Sequence, residues 1–385
     1  MKKCLRYLQL TAIVLVLVLA TSAVRAANFT ATTNGNWNSL ATWGNVGSFP
    51  VAGDIVTINS GVTVTVNVNS ACASVTFAGT SGTITVSSGM TLTVSGTITL
   101  NNSNTTNTAA TLSGGSGTIS CASIQVGGVA TGPTADRSTT LTSSVGTMNV
   151  SGNLTVRGED NSSSQGNATF VQQSGTVTVG GQVVMDAEND GAGTGSATAT
   201  INLNGGGAET GTLKLTNANP ISTLGTGTHT FSANGSNATI EYAGDDQPVY
   251  ATTYTNLTLS TSGVKNMTGV TTVNGDLTLS GTAYVTTAAN LSIGGDLTVG
   301  NGSTLNLDAF NFTVSGNTSI SGVVHVTSTT GAKQFDNLTI NGTGFFLADV
   351  NENFTMTGNL VQDGTLSAGT GTWTWTSSNA ISGNA

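Results

Sequence analysis

The sequence predicts an all-β fold, a single-stranded parallel β-solenoid with an amino-terminal cap, and three observations support this prediction. A short strand motif recurs along most of the chain, and a fixed period of about 20 residues marks stacked repeats. Leu, Val and Ile alternate with Thr or Ser, as half-buried strands require. Helical periodicity is absent beyond residue 26. The clearest motif copies follow one another at nearly equal intervals, and they begin at Asn256, Asp276, Asp296, Asn317, Asn337 and Asn359.

The composition agrees with stacked strands joined by tight turns. Only 7% of the 385 residues are charged, whereas ordinary soluble domains have roughly 25%. Gly contributes 51 residues and Pro only 4. Thr and Val favour pleated strands, while Gly and Asn favour turns with positive φ. Because apolar residues recur in alternation, the chain is not a disordered linker.

Residues 1–26 have the pattern of a secretory signal peptide. Basic residues at Lys2 and Lys3 precede an apolar run, Leu8–Ala20, that is too short for a comfortable membrane span. We expect cleavage before Ala27, and an uncleaved amino-terminal anchor is the alternative. No later stretch predicts a membrane span. The expected location is therefore outside the cell, either secreted or on the cell surface.

Signal cleavage would make the chain strongly acidic. It removes four of the 9 basic residues, which leaves 5 against 18 acidic residues, a net charge of −13. Contacts to phosphates need Lys and Arg, so we expect no binding of nucleic acid. The acidic balance fits an exported surface or one that binds cations.

The segment 27–70 differs from the rest and predicts the cap. Trp37 and Trp43 lie before a Pro turn and a strand, and such a segment would cover the unpaired edge of a stacked-strand rod. The following runs are Gly53-Asp-Ile-Val-Thr-Ile58 and Gly61-Val-Thr-Val64. This order resembles the eight-glycine domain of secreted and cell-surface proteins, and the amino-terminal segment of exported bacterial β-strand-repeat proteins. The resemblance implies an extracellular surface protein and assigns no catalytic residue.

Residues 71–240 predict a solenoid with longer coils and projecting loops. The extra residues fall after the anchor strand, in segments 127–138, 158–167, 186–196 and 216–226. If the coils stack in register, these loops project from one face, where we expect function to lie. The anchor strands lie near Val75, Ile98, Ile124, Leu154, Val183 and Leu213.

Residues 241–385 predict a solenoid with shorter coils, of about 20–22 residues each, which resembles a pattern in large exported bacterial surface proteins. About 13 coils at ~4.8 Å each predict a rod of roughly 60 Å, right-handed by default. The residues before each anchor strand, Gly then Asn or Asp, predict a turn, and stacked Asn side chains could bond along the ladder. After Trp373 and Trp375, either these rings cover the last coil or the natural protein continues.

Cys72 and Cys121 each begin a Cys-Ala-Ser tripeptide, which predicts equivalent places in different coils. If one further coil lies between them, they are roughly 10 Å apart, too far for a disulfide. We expect two buried thiols, with a disulfide as the alternative.

Asp186, Glu188 and Asp190 precede Gly191 in the spacing with which a calcium loop begins. The bidentate acid expected at the twelfth position is missing, because Ala197 occupies it. Calcium is the one candidate cofactor, and a solvated acidic turn is the alternative.

A second candidate site combines aromatic rings with carboxylates: Tyr242, Asp245, Asp246, Tyr250 and Tyr254. Aromatic faces stack on sugars, and carboxylates accept bonds from hydroxyls, so this patch predicts a glycan contact. The alternative is that Tyr242 and Tyr254 pack between coils.

Catalytic side chains are scarce, since the 2 His residues, His229 and His325, lie in unrelated repeats. We expect an exported cell-surface rod that is structural or adhesive, without catalytic activity. The expected partners are extracellular glycans or other surface proteins. The alternatives are a carbohydrate-binding module and a polysaccharide lyase or hydrolase of the parallel β-helix type.

Overall fold

The computed structural model describes residues 26–384, except 104–105, 129–135, 162–163, 189–196, 204–209, 234, 236, 350 and 377. Within these residues, the regular elements are 39 β-strands and one 3₁₀ helix, η1 (Leu40–Trp43). The predicted all-β parallel solenoid is therefore confirmed. The predicted signal peptide lies outside the described residues.

The strands form three parallel ladders, which we name faces A, B and C, and the chain visits them in that order in successive coils. Three long strands turn corners: β8 (Thr91–Leu100) passes from face C to A, β9 (Thr108–Gly127) from B through C to A, and β10 (Arg137–Val150) from B to C. The remaining strands each belong to one face.

Face A also contains β1 (Asn28–Ala31), β3 (Ile55–Ile58), β6 (Ser74–Phe77), β11 (Leu154–Asn161), β14 (Val183–Ala187), β17 (Ile221–Leu224), β20 (Gln247–Pro248), β22 (Val264–Asn266), β25 (Tyr284–Thr286), β28 (Thr304–Leu307), β31 (Val323–Val326), β34 (Phe345–Ala348) and β37 (Thr365–Ser367).

Face B also contains β2 (Gly35–Asn36), β4 (Thr63–Val66), β7 (Ser81–Val86), β12 (Ser164–Gln172), β15 (Thr198–Leu203), β18 (Thr228–Ser232), β23 (Thr272–Val273), β26 (Leu291–Ile293), β29 (Phe312–Val314), β32 (Lys333–Phe335), β35 (Phe354–Met356) and β38 (Trp373–Trp375).

Face C also contains β5 (Ser70–Cys72), β13 (Gly175–Val179), β16 (Gly211–Leu215), β19 (Thr239–Tyr242), β21 (Asn256–Leu259), β24 (Leu277–Leu279), β27 (Leu297–Val299), β30 (Thr318–Ile320), β33 (Leu338–Ile340), β36 (Leu360–Gln362) and β39 (Ile381–Ser382).

The core is one continuous column inside the three faces, from Phe29 to Leu360. It forms because successive residues of a strand point to opposite sides of the sheet. In β4, for example, Val64 and Val66 are buried, while Thr63 faces outward. One coil cannot bury its apolar side alone, so the coils above and below supply the contacts.

The first five predicted anchors are confirmed as neighbours on face A. Each aligns with the next in parallel register: Val75, Ile98, Ile124, Leu154 and Val183. The sixth anchor was wrong. Val183 pairs with Ile221, whereas Leu213 lies on face C and pairs with Ile240.

The anchors of the shorter coils are also confirmed, but they lie on face C. They align in one register column of Leu257, Leu277, Leu297, Thr318, Leu338 and Leu360. The predicted anchor strands of the longer coils and those of the shorter coils therefore lie on different faces of the same solenoid.

Three of the four predicted loop segments lie in the sequence between a face A strand and a face B strand, and residues 129–135, 162–163 and 189–196 within them lie outside the described residues. Segments 127–138, 158–167 and 186–196 connect face A strands to face B strands, and in the second of them β11 and β12 form an antiparallel pair at Glu159 and Gly166. Segment 216–226 was wrong, because it contains β17, which pairs with β14.

The two Trp pairs lie near opposite ends of the core. Trp37 and Trp43 are buried with ring centroids 5.3 Å apart, and the Trp37 indole N–H donates to Pro50 O (3.1 Å). At the other end, the Trp373 ring lies 4.4 Å from that of Phe354, and the Trp375 ring is half-buried beside it. Aromatic rings thus cover apolar core at both ends.

Side chains also join the coils at the corner before face C, as predicted for Asn. Asn256 Oδ1 accepts the backbone N–H of Asp276 (2.9 Å), and Asp276 Oδ1 accepts that of Asp296 (2.8 Å). Asp296 Oδ1 accepts the N–H of Asn317 (2.7 Å), and Asn337 Oδ1 accepts that of Asn359 (2.9 Å). Asp takes part as well as Asn, because a carboxylate oxygen and an amide oxygen can both accept a bond from a backbone N–H.

The predicted places of Cys72 and Cys121 are confirmed. Cys72 pairs with Val94, which pairs with Cys121, so one coil separates the two thiols. Both are free and buried, and burial raises the pKa of each thiol to about 12. The disulfide alternative is therefore excluded in this structure.

Candidate functional site

An arginine among three carboxylates occupies the outer surface of face A. Arg157 on β11 donates to Glu188 Oε1 (2.5 Å), and its Nε lies 3.5 Å from Asp186 and 3.7 Å from Glu159. The parallel register of β11 and β14 explains the meeting, because Arg157 is paired with Asp186. Sequence reasoning singled out Asp186 and Glu188 as candidate site residues but neither Arg157 nor Glu159, because their meeting depends on contacts between coils.

Glu159 is the most buried acid of this group, at 7% exposure. Burial raises its pKa, while the Asn102 amide and the Arg157 guanidinium oppose the rise. The guanidinium thus balances charges that would otherwise repel one another.

This arrangement bears on the predicted calcium loop. Asp186 and Glu188 contact Arg157, and Asp190 lies outside the described residues. Among the described residues, no group of three His, Cys, Asp or Glu side chains is placed to hold a metal ion. The calcium site stays a prediction, and Arg157 is the cation that the described carboxylates bind.

The tyrosines of the second candidate site form a closed ring of hydrogen bonds. The Tyr250 backbone N–H donates to Tyr242 Oη (2.9 Å), and the Tyr254 hydroxyl donates to Tyr250 O (2.5 Å). The two hydroxyl oxygens are 3.0 Å apart. Because the Tyr254 proton points to Tyr250 O, the Tyr242 hydroxyl donates to Tyr254 Oη.

This ring corrects part of the predicted glycan contact. Tyr242 and Tyr254 are 0% exposed, so their faces cannot stack on a sugar, and they pack between coils as the alternative proposed. Burial raises the pKa of Tyr242 to about 12 and that of Tyr254 well above its usual range. Tyr250 is half-buried against Phe231.

Asp245 and Asp246 remain at the surface beside this ring. Asp245 Oδ1 accepts the Ser262 hydroxyl (2.8 Å), and Asp246 Oδ1 accepts the backbone N–H of Val264 (2.7 Å). Both carboxylates therefore hold the next coil in place. A role in ligand binding stays a prediction for them.

The most unusual polar residue is Lys265, which sequence reasoning did not single out. It is 0% exposed and points into the core from β22. Its ammonium donates to Gly244 O, to Asp245 O (2.6 Å) and to Gln247 Oε1 (3.2 Å). Burial lowers the pKa of Lys265 to about 8, although Asp245 and Asp246 oppose the shift. The sequence contained one sign of this: Lys265 occupies a position of β22 that the alternation of inward and outward residues places inside the core.

Lys333 repeats this arrangement on face B. Its side chain is buried, and the ammonium donates to Thr330 O (2.9 Å) and Gly331 O (2.8 Å). Burial lowers its pKa. Both lysines therefore satisfy backbone carbonyl groups at corners of the solenoid, and neither presents its ammonium outward.

A groove on the outer side of face A passes next to Lys265. It consists of two adjoining cavities, of about 360 Å³ and about 410 Å³, which share Val264 and Asn266 in their linings. The first also contains Asp246 and Pro248, and the second contains Asp308, Thr286 and Phe310. The groove thus includes one residue of the predicted glycan patch.

Comparison with known proteins finds one distant structural similarity. No family model and no curated protein matches the chain. Among solved structures, the chain is similar to the crystal structure of a TibC-catalysed hyper-glycosylated TibA fragment, at 16% identity and a TM-score of 0.21, over 94% of this chain and 95% of that one. None of the described residues forms a helix long and apolar enough to span a bilayer. The resemblance to the eight-glycine domain stays a prediction.

Proposed function

We propose that the chain is an exported rod of a cell surface, with a structural or adhesive role and no catalytic activity. One observation carries the proposal: parallel ladders and a single core extend from β1 to the last strands of the chain. Each coil pairs along its strands with the coils directly above and below it, so the fold makes an extended body whose sides present repeated outer surfaces. Such a body can hold a binding surface away from a membrane.

Several polar groups that could serve a hydrolase or lyase have other partners in the described part of the chain. Asp186 and Glu188 both contact Arg157, and Lys265 donates to backbone carbonyl groups. His325 pairs with the exposed Asp349 at a position apart from the Arg157 cluster. These contacts favour a non-catalytic rod over the enzyme alternative.

The export proposal rests on Lys2, Lys3 and Leu8–Ala20 and on the acidic charge of the remainder. Its test is antibody labelling of intact cells that make the protein, with and without protease treatment before labelling. We expect labelling of intact cells and its loss after protease. Protein detected only after the cells are broken would refute surface exposure.

The adhesive part of the proposal has its own test. Polystyrene beads coated with the secreted chain should bind to host cells or to an extracellular matrix more than beads coated with albumin do. A surface-located chain whose beads bind no more than the albumin beads would be a structural spacer.

A further inference from the structure

The groove on face A is long enough for a polymeric ligand. It begins beside Asn219, continues past Asp246 and Val264, and ends beside Asp308 and Phe310. These residues belong to the consecutive coils that contain β17, β20, β22, β25 and β28. Since stacked strands are ~4.8 Å apart, four steps give a groove of about 20 Å along the rod.

The lining combines an apolar floor with polar sides. Val264 is 50% exposed, Pro248 is exposed, and the Phe310 ring is half-buried. Asp246 and Asp308 place carboxylates beside this floor. A sugar ring has an apolar C–H face and hydroxyls around its edge, so an apolar floor with hydrogen-bond acceptors beside it complements a saccharide.

The charges of the groove favour a neutral ligand. Lys265 lines the groove, but its ammonium is directed inward to Asp245 O and Gln247 Oε1 and does not face a ligand. The groove carboxylates and the net charge of the protein, −9 even before signal cleavage, repel an acidic polymer.

The spacing of the coils indicates the orientation of the ligand. Each coil advances the lining by ~4.8 Å, which is close to the length of one sugar unit in an extended polysaccharide. We propose that this groove binds a neutral polysaccharide lengthwise, with about one sugar unit per coil. The inference deepens the adhesive role and therefore rests on the proposed function.

Affinity electrophoresis of the secreted chain tests this inference. The gels contain a neutral polymer (a xyloglucan, a β-glucan or a mannan) or an acidic one (pectate or alginate). We expect slower migration in a neutral polymer and unchanged migration in the acidic ones. Phe310→Ala and Asp308→Ala should each weaken binding about 3- to 10-fold, the range expected for one stacking or hydrogen-bonding contact.

Phe345→Ala is the matched control, because Phe345 is 44% exposed on the same face but lies outside the groove. It should bind like the unmodified chain, and circular dichroism confirms that each variant is folded. Equal binding by all variants would place the ligand elsewhere and overturn the inference, as would stronger binding to the acidic polymers. Unchanged migration in every gel would refute polysaccharide binding in the groove. It would leave the proposal of a cell-surface rod intact, because surface labelling tests that proposal separately.

Discussion

The hydrogen-bond ring of Tyr242, Tyr250 and Tyr254 predicts a large effect from removing a single oxygen atom. Tyr254→Phe keeps the ring that packs between coils but deletes the hydroxyl that joins Tyr242 Oη to Tyr250 O. The Tyr242 hydroxyl then has no acceptor in this ring, and the Tyr250 carbonyl loses its donor. Tyr242 is 0% exposed, so water cannot replace the lost partner without opening the coil.

The magnitude follows from these two groups. A buried polar group left unpaired costs about 1–3 kcal/mol, and the second group, the Tyr250 carbonyl, belongs to a half-buried residue where water replaces part of the loss. The variant should therefore lose about 2–4 kcal/mol of local stability. Burial keeps both hydroxyls protonated, with the pKa of Tyr242 at about 12. The loss should therefore be the same at pH 6 and pH 9.

Hydrogen exchange measured by mass spectrometry is the appropriate assay, because coils of a repeat protein can open separately. Peptides covering β19 and β21 should exchange faster by about 30- to 1000-fold in the variant, the ratio that corresponds to about 2–4 kcal/mol. Tyr284→Phe is the control, because Tyr284 is 44% exposed and its hydroxyl accepts a single bond, from the Asn306 amide, in place of the two bonds that the Tyr254 hydroxyl makes. If Tyr254→Phe accelerated exchange no more than Tyr284→Phe does, the ring would not stabilise these coils.

Three further predictions follow from buried charges and thiols. The folded-state pKa of Lys265, about 8, lies below the unfolded value, so unfolding free energy should rise by about 2 kcal/mol between pH 8 and pH 9.5. Urea titrations should show that Lys265→Met abolishes this rise, and a rise that persists would contradict the assignment. Arg157→Met leaves three carboxylates facing one another, so it should lower the free energy of unfolding by about 1–2 kcal/mol at pH 7 and by less at pH 4. Urea titrations at the two pH values measure this, and equal losses at both would exclude charge repulsion. Cys72 and Cys121 should resist iodoacetamide at pH 8 in the folded chain and react after denaturation, as judged by peptide mapping, because burial suppresses the thiolate; rapid labelling of the folded chain would show that these coils open.

The repeat could be predicted from the sequence wherever the coil length stays constant. Leu257, Leu277 and Leu297 recur at one constant interval and align on one face. The extrapolation failed at Leu213, which follows Val183 at the interval that the preceding anchors suggested. The true partner of Val183 is Ile221, which lies further along the chain because this coil is longer. An insertion changes the spacing but leaves the strand pattern intact, so periodicity alone cannot detect it.

The candidate sites were less predictable, because they depend on contacts between coils. Alternation in Thr239–Tyr242 indicates that Tyr242 points inward, yet nothing in the pattern reveals its bond with Tyr254. Lys265 also occupies an inward position, where the alternation predicts an apolar side chain. Its presence there depends on the carbonyl group of Asp245 in the preceding coil, and a single coil does not contain that information.

The side-chain ladder before face C determines how the length of this protein can change. Each Asn or Asp on it accepts a hydrogen bond from the coil that follows. One whole coil can therefore be removed without leaving a backbone N–H of the next coil unpaired. Deleting residues 277–296 would place the Asp276 carboxylate opposite the N–H of Asn317, which now bonds the equivalent Asp296. Losing one residue within a strand would instead turn the remaining side chains of that strand to the opposite side. Duplication or loss of whole coils is thus the low-cost route by which such a gene can lengthen or shorten its product.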